Sequence, residues 1–137
     1  MNFSRTALIL SLLLAGNATA SSMNLGAAYE VGSGRIGKSL VRYVKSFDTA
    51  CLGIQVISPD QRWKVLSSSN ICTFQGKSFD TEFSYAGFKD ISVKPDGVHL
   101  TLNLMALRPS KEEYWSCVIP VKGTEIGDLS CADAPNP

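Results

Sequence analysis

The segment Gly32–Ser39 carries the residue types of a phosphate-binding loop. Its sequence, GSGRIGKS, matches the pattern G-x-x-x-x-G-K-[ST] at every position, through Gly32, Gly37, Lys38 and Ser39. In such a loop the glycines let backbone N–H groups approach phosphates, the lysine reaches the β and γ phosphates, and the hydroxyl binds magnesium. This chemistry requires a strand before the loop and a helix after it, so the surrounding elements decide what the motif means.

The rest of the chain argues against a nucleotide site. Nucleotide folds of this kind need several βαβ units, whereas the pattern from Cys51 onward has a period of two. The acidic residues that would help bind magnesium are poorly placed, since Asp60 follows a proline and Asp90 lies in a polar stretch. We therefore interpret Gly32, Gly37, Lys38 and Ser39 as a chance match within a glycine-rich hairpin turn, and we expect no cofactor.

Side chains suited to acid–base or nucleophilic catalysis are few. His99 is the only histidine, and its parity places it with Thr101 and Asn103 on the polar face of a strand. Glu112 and Glu113 are neighbours on a predicted strand, so their carboxylates point to opposite faces and do not form a catalytic pair. We predict no catalytic residue and a protein that is not an enzyme.

The chain has four cysteines, Cys51, Cys72, Cys117 and Cys131. None of the C-x2-4-C spacings of structural zinc sites occurs, so no metal site is expected. An even number of cysteines in an oxidising compartment indicates two disulfides, for which three pairings exist. The short-range pairs, Cys51 with Cys72 and Cys117 with Cys131, are favoured because each would close a hairpin-sized loop.

The first twenty residues are typical of an export signal. Arg5 provides a positive N-terminal region, Ala7–Ala15 is a short apolar run, and Ala18-Thr19-Ala20 has the small-x-small pattern of a cleavage site. The apolar run is shorter than the roughly 20 residues that span a bilayer, so we expect no membrane anchor. Residues 1–20 would be removed, which leaves a secreted or periplasmic protein starting near Ser21.

The remaining residues are sufficient for one domain. Without Arg5, 12 basic residues balance 12 acidic ones, so the mature net charge is zero and nothing favours nucleic acid or anionic lipid as a partner. We expect a single domain over residues 21–131 and a frayed tail over residues 132–137.

Alternating apolar residues predict an all-β fold. Val98, Leu100, Leu102 and Leu104 would form the buried face of one strand, and the run from Trp115 to Val121 alternates in the same way. Ser67–Asn70 would interrupt a strand that contains Trp63 and Val65. With Asn24–Val31 and Leu40–Phe47 included, the chain has seven to nine short strands, which favours an immunoglobulin-like or fibronectin type III-like sandwich.

Two segments remain ambiguous at this level. Leu40–Phe47 fits a helix or a strand, and its β-branched and aromatic residues slightly favour a strand. The string KSFDT occurs twice, at Lys45–Thr49 and Lys77–Thr81, without similar flanks. We interpret the two copies as similar corners where a strand enters a turn, and not as a structural repeat.

Aromatic residues are concentrated between positions 74 and 88. Five of these positions are Phe74, Phe79, Phe83, Tyr85 and Phe88. Large aromatic side chains in a small domain are mostly core residues, but on loops they also form recognition surfaces. Phe79, Phe83, Tyr85 and Phe88 are therefore the candidate partner-binding residues.

A small exported chain with four cysteines, an all-β pattern and tryptophans at positions 63 and 115 resembles the interleukin receptor mimic protein A family of enterobacterial secreted proteins. The resemblance rests on the size and strand pattern of the mature chain, especially Leu40–Pro59 and Asn70–Asp80. It implies a fibronectin-type fold, a domain-swapped homodimer and binding of host cytokines, and it assigns no site residue. The first alternative is a periplasmic inhibitor or immunity-type protein that acts on another exported protein, and a third class is an enzyme accessory or a surface-assembly subunit.

Overall fold

The computed structural model describes residues 23–109 and 111–136, and the predicted export signal lies outside these residues. The described chain is mostly strand with almost no helix, as the alternating pattern predicts. Its seven long strands are β1 (Ala28–Ile36), β2 (Ser39–Ser46), β3 (Leu52–Ser58), β4 (Lys64–Ile71), β7 (Phe83–Lys94), β8 (Gly97–Ala106) and β9 (Glu112–Lys122). Four two-residue strands complete the set, β5 (Thr73–Phe74), β6 (Lys77–Ser78), β10 (Glu125–Ile126) and β11 (Ser130–Cys131).

The long strands form two antiparallel sheets in which neighbours along the chain are neighbours in space. The first sheet has the order β1-β2-β3-β4, and the second has the order β10-β9-β8-β7 with β11 also paired to β9. In an immunoglobulin domain each sheet instead mixes strands from distant parts of the chain. The strand order here is therefore that of two consecutive meanders.

The hairpin between β1 and β2 contains the glycine-rich motif. Gly32 and Gly34 lie within β1, and Ser39 begins β2, which pairs with β1 from Ser39 to Ser46. Gly37 has a φ of 59°, the conformation that a tight hairpin turn requires at its first position and that glycine adopts at low cost. The segment Leu40–Phe47 is therefore strand as far as Ser46, which confirms the prediction from its β-branched residues.

The core is made by inward-facing side chains of both sheets. On β8 and β9 the buried apolar side chains are those predicted from the alternation, namely Val98, Leu100, Leu102, Leu104, Trp115, Cys117, Ile119 and Val121. They form one cluster with Val41, Leu52, Ile54 and Val56 of the first sheet. The segment that joins the sheets adds Phe74, packed 5.0 Å from the Trp115 ring, and Phe79.

Edge strands of the two sheets approach one another unevenly. At one end of the β1 and β7 edges, a Cβ on Gly34 would lie 2.6 Å from Cβ of Val93, so only glycine permits this contact. At the other end, around Tyr29 and Tyr85, the two edges border a groove. The strands are close where β1 has glycine and open where it has large side chains.

Two disulfides connect Cys51 to Cys72 and Cys117 to Cys131, which is the pairing that the sequence favours. The first links the residue before β3 to the residue after β4. The second links β9 to β11. Each disulfide therefore stays within one sheet.

Three local predictions differ from the structure. Ser67–Asn70 does not interrupt a strand, because these residues pair with β3 across Val56–Gly53 as part of β4. Trp63 lies just before β4, in a turn where its φ is 62°. Asn24–Val31 begins with a 3-10 turn at Leu25–Ala27, which the Asn24 side chain caps, and becomes strand only at Ala28.

The C-terminal tail, predicted to be frayed, is hydrogen-bonded along β9. The backbone N–H groups of Ala132 and Asn136 donate to the carbonyls of Ser116 (2.9 Å) and Tyr114 (2.6 Å). These two carbonyls of β9 point away from β8 and would otherwise lack a hydrogen-bond donor. The polar tail therefore pairs with β9 although its composition does not favour a strand.

Candidate partner-binding surface

A groove lies between the open end of the β1–β2 hairpin, where β1 begins and β2 ends, and the first half of β7. One wall is formed by Tyr29, Lys45, Ser46, Thr49, Ala50 and Cys51, and the other by Tyr85, Ala86, Gly87, Phe88 and Lys89. Its volume is about 200 Å³. This groove, together with Phe47 beside it, is called the aromatic cleft below.

Three large aromatic side chains are exposed at the aromatic cleft. Tyr29, Phe47 and Tyr85 keep 51, 82 and 49% of their surface accessible. The rings of Tyr29 and Phe47 contact one another with centroids 4.6 Å apart, so they hold each other in place without being buried. Tyr85 folds back over Gly87, where a Cβ would collide with its hydroxyl oxygen. Aromatic rings held in this way are typical anchors of protein interfaces.

Lys45 provides positive charge at the aromatic cleft. Its ammonium group donates to the carbonyl oxygen of Phe88 (3.0 Å), lies 3.4 Å from a carboxylate oxygen of Glu30 and lies 5.5 Å from the centroid of the Tyr29 ring. Only 16% of the side chain is exposed, so the methylene stem packs while the charge reaches the cleft. Lys89 belongs to the opposite wall, but its ammonium group lies 5.5 Å from the centroid of the Tyr114 ring.

The four predicted partner-binding residues do not form one surface. Phe79 and Phe88 are core residues, with 2 and 4% of their surface exposed and their rings in an edge-to-face contact at 5.5 Å. Phe83 is half-buried against Phe79, at a centroid distance of 6.2 Å. A partner cannot reach Phe79 or Phe88 while the core is intact, and Tyr85 is the predicted residue that is exposed.

Two exposed aromatics of the cleft were not predicted from the sequence. Phe47 is the central residue of the first copy of KSFDT, where the chain leaves β2 for a polar turn. Both copies do lie at a strand-to-turn corner, but Phe79 in the second copy points into the core. Tyr29 lies at an irregular register between Ala28 and Glu30, which local alternation does not predict. No local signal distinguishes Phe47 from Phe79, because both are followed by Asp and Thr in a turn.

A polar cluster lies on the outer face of the second sheet, apart from the aromatic cleft. The carboxylate of Glu112 accepts hydrogen bonds from the Tyr114 hydroxyl (2.8 Å) and from the side-chain amide of Asn103 (3.0 Å). These bonds lower the pKa of Glu112 and raise the pKa of Tyr114. Asn103 was predicted to be wetted, but it is only 3% exposed, and its amide donates to Glu112 within this cluster. Glu113 bonds instead to the indole N–H of Trp115, on the opposite face.

His99 lies on the polar face of β8, as its parity predicts. Its Nε2 is 2.7 Å from a carboxylate oxygen of Asp96, and this hydrogen bond is the main cause that lowers the pKa of Asp96. The groove around His99 contains Ser92, Thr101 and Ser116, but no hydrogen bond in the described part of the chain joins the imidazole to a hydroxyl. The arrangement is that of a hydrogen-bonded pair of partly exposed side chains.

The remaining features of the described residues do not add a site. Within residues 23–109 and 111–136 there is no group of three histidine, cysteine or acidic side chains arranged to hold a metal ion. No helix in that part of the chain is long and apolar enough to cross a membrane. Comparison with known proteins gave no matching family model, no matching curated protein and no matching solved structure.

Proposed function

We propose that this protein is an exported, non-enzymatic binding protein that holds a protein partner at the aromatic cleft. The observation that carries the proposal is the convergence of three exposed aromatic side chains, Tyr29, Phe47 and Tyr85, around the charge of Lys45. Interface hot spots are enriched in aromatic residues, and a groove of about 200 Å³ is small for an enclosed drug-sized ligand. A protein surface that packs over the rings fits this shape better.

The sequence supports a compartment for this protein and indicates which partner to test first. An export signal and two disulfides support a secreted or periplasmic protein. The resemblance to interleukin receptor mimics makes a host cytokine the first partner to test, together with a domain-swapped homodimer. A shared core between two sheets supports a sandwich of fibronectin type in its layers, while the consecutive strand order departs from that class in its connections.

The proposal is tested by capture of partners on the immobilised mature protein. Serum and periplasmic extract are compared side by side, and each captured protein is then purified and its affinity measured. The double variant Tyr29→Ala/Phe47→Ala should weaken binding by roughly tenfold or more, since each ring would act as an anchor. Its free energy of unfolding should change little, because both rings are exposed. A purified partner that binds the double variant as tightly as the unchanged protein would contradict the proposal.

A second candidate function, a periplasmic inhibitor or immunity-type protein, is favoured by a different surface. The turn between β3 and β4 presents Trp63 with 63% of its surface exposed, next to Arg62, and both residues have a positive φ. Such strain in a turn that projects a tryptophan is typical of functional loops. The turn lies at the opposite end of β3 from the aromatic cleft. Loss of a periplasmic partner in Trp63→Ala, with Tyr29→Ala/Phe47→Ala unaffected, would establish this function in place of the first.

A further inference from the structure

Strand β7 presents a straight segment of free edge to the aromatic cleft. Tyr85–Lys89 forms one wall of the cleft and pairs regularly with β8, from Met105 to Thr101. The register is irregular on both sides of this segment, between Phe83 and Tyr85 and again after Lys89. Bulges are a common protection of sheet edges, so the five residues between them are the part of the edge left open for pairing.

The backbone groups of Ala86 point into the cleft. The carbonyl of Phe88 accepts a hydrogen bond from Lys45, on the far side of the cleft from β8. In an antiparallel pair the residues whose peptide groups face outward alternate along the strand, so the N–H and C=O of Ala86 face the cleft as those of Phe88 do. No hydrogen bond within the described part of the chain uses them there. The small side chains of Ala86 and Gly87 leave this edge accessible.

The charges around this edge select an acidic partner. Lys45 faces the cleft, whereas the ammonium group of Lys89 lies 5.5 Å from the centroid of the Tyr114 ring, on the outer face of the second sheet. The carboxylate that contacts Lys45 is that of Glu30, at 3.4 Å and on a side chain that is 45% exposed, so this ion pair is weak. A carboxylate that enters the cleft would displace Glu30 and pair with Lys45.

We propose that an extended segment of a partner protein adds to β7 as an extra strand along Tyr85–Lys89, with an acidic side chain directed to Lys45. Its backbone hydrogen bonds would be made to Ala86 and to the free N–H of Phe88, and its side chains would pack against Tyr29 and Tyr85. This binding mode is β-strand addition, in which backbone bonds supply affinity and side-chain contacts supply specificity. The inference rests on the proposed function, because it uses the same cleft.

The substitution Ala86→Pro tests the backbone contact directly. Proline removes the N–H that faces the cleft and leaves the ladder to β8 intact, because the peptide groups of Ala86 point away from β8. Ala86→Ser is the matched control, since it retains the N–H with a small side chain. Urea unfolding of both variants verifies that each is folded under the binding conditions.

The probe is a library of eight-residue peptides displayed on phage, selected against the mature protein. Enriched peptides should contain Asp or Glu and should bind Ala86→Pro at least tenfold more weakly than Ala86→Ser. Amide hydrogen exchange of Ala86 and Phe88 should slow at least tenfold when a selected peptide binds. The inference would be overturned if the selected peptides bound Ala86→Pro as tightly as Ala86→Ser. It would also be overturned if selection enriched no more peptides on the mature protein than on Ala86→Pro, or if peptide binding left the amide exchange of Ala86 and Phe88 unchanged.

The charge is tested with Lys45→Met, and Lys64→Met on β4 is the control at a distant edge. Acidic peptides should lose at least tenfold in affinity for Lys45→Met and none for Lys64→Met.

If light scattering instead shows a homodimer that dissociates in Ala86→Pro, the edge is occupied by a second copy and the inference is overturned. If a captured partner is lost in Tyr29→Ala/Phe47→Ala but retained in Ala86→Pro, the proposed function stands and strand addition fails.

Discussion

Two phenylalanines in identical strings show how strongly environment outweighs local sequence. Phe47 and Phe79 both follow Lys-Ser and precede Asp-Thr, yet the first is 82% exposed and the second 2%. The corner that contains Phe79 is part of the segment joining the two sheets, and its ring packs against Phe88. The corner that contains Phe47 lies at the end of β2, beyond the core, where the ring meets only Tyr29 among aromatic side chains of the described chain.

The same pair yields a matched prediction. Phe79→Ala should lower the free energy of unfolding by about 3 to 5 kcal/mol, because a buried ring is replaced by a cavity. Phe47→Ala should change it by less than about 0.5 kcal/mol, as exposed positions do. Urea unfolding of both variants measures the difference. Similar losses in the two variants would mean that Phe47 is buried in solution, against a partner or a second copy.

The hydrogen bonds of Glu112 predict opposite effects at the two ends of the pH scale. Its pKa is lowered from 4.5 by the Tyr114 hydroxyl and the Asn103 amide, so its stabilising contribution is present above pH 4.5 and is lost as the pH falls through the lowered pKa. The pKa of Tyr114 is raised from 10.0 chiefly by its bond to Glu112, so that contribution is present below pH 10.0 and is lost as the pH rises through the raised pKa.

Glu112→Gln should therefore bring the pKa of Tyr114 back toward 10.0 and make unfolding less dependent on pH in both regions. Ultraviolet titration of tyrosinate, with Tyr114→Phe subtracted, isolates this one hydroxyl. An unchanged titration of Tyr114 in the glutamine variant would show that the 2.8 Å bond does not form in solution.

At the scale of elements, the sequence predicts a strand well where one face is buried and the other wetted. The apolar residues of β8 and β9 alternate without a break, and their buried faces are those expected. The prediction that Ser67–Asn70 interrupts a strand was wrong, because it rested only on the local preference of serine and asparagine for turns. Their partner β3 is buried along its entire length, and pairing to such a strand outweighs the local preference for a turn.

The β1–β2 hairpin gives a prediction about the phosphate-loop match. Gly37→Ala should destabilise the protein by about 1 kcal/mol or more, because the residue has a φ of 59°. Lys38→Ala should change stability by less than about 0.5 kcal/mol, since a lysine in a two-residue turn makes few contacts. Thermal unfolding compares the two variants. Magnesium-ATP binding by the unchanged protein that disappears in Lys38→Ala would contradict the hairpin interpretation.

At the scale of the whole molecule, the aromatic cleft combines residues that no local pattern connects. Tyr29 is on β1, Lys45 and Phe47 are at the end of β2, and Tyr85 is on β7 in the other sheet. Tyr85 was predicted from aromatic density, whereas Tyr29 and Phe47 became neighbours through the pairing of β1 with β2. A surface formed by the meeting of two sheets follows from tertiary packing, which the alternation of a single strand does not contain.

The distribution of disulfides makes the last prediction. Cys51–Cys72 lies within the first sheet and Cys117–Cys131 within the second, so no disulfide crosses between the sheets. The two halves are joined covalently only by the segment that follows Cys72 and leads into β7, and otherwise by the core that both sheets share. Gly76 is the place to cut this segment. Its φ of 77° is that of a turn residue, and a Cβ placed there would have no atom within 4 Å apart from those of the adjoining residues.

A protease site inserted after Gly76 and then cleaved should leave a protein that elutes as one body under native conditions. Burial of apolar side chains from both halves at about 25 cal/mol per Å² holds them together without a peptide bond. In denaturant without reductant, the same sample should separate into two fragments, since each disulfide closes a loop within its own half. A single denatured species would require a disulfide between the sheets. Two native species would mean that the halves do not share the core in which Leu52 and Ile54 of one sheet pack with Leu102 and Ile119 of the other.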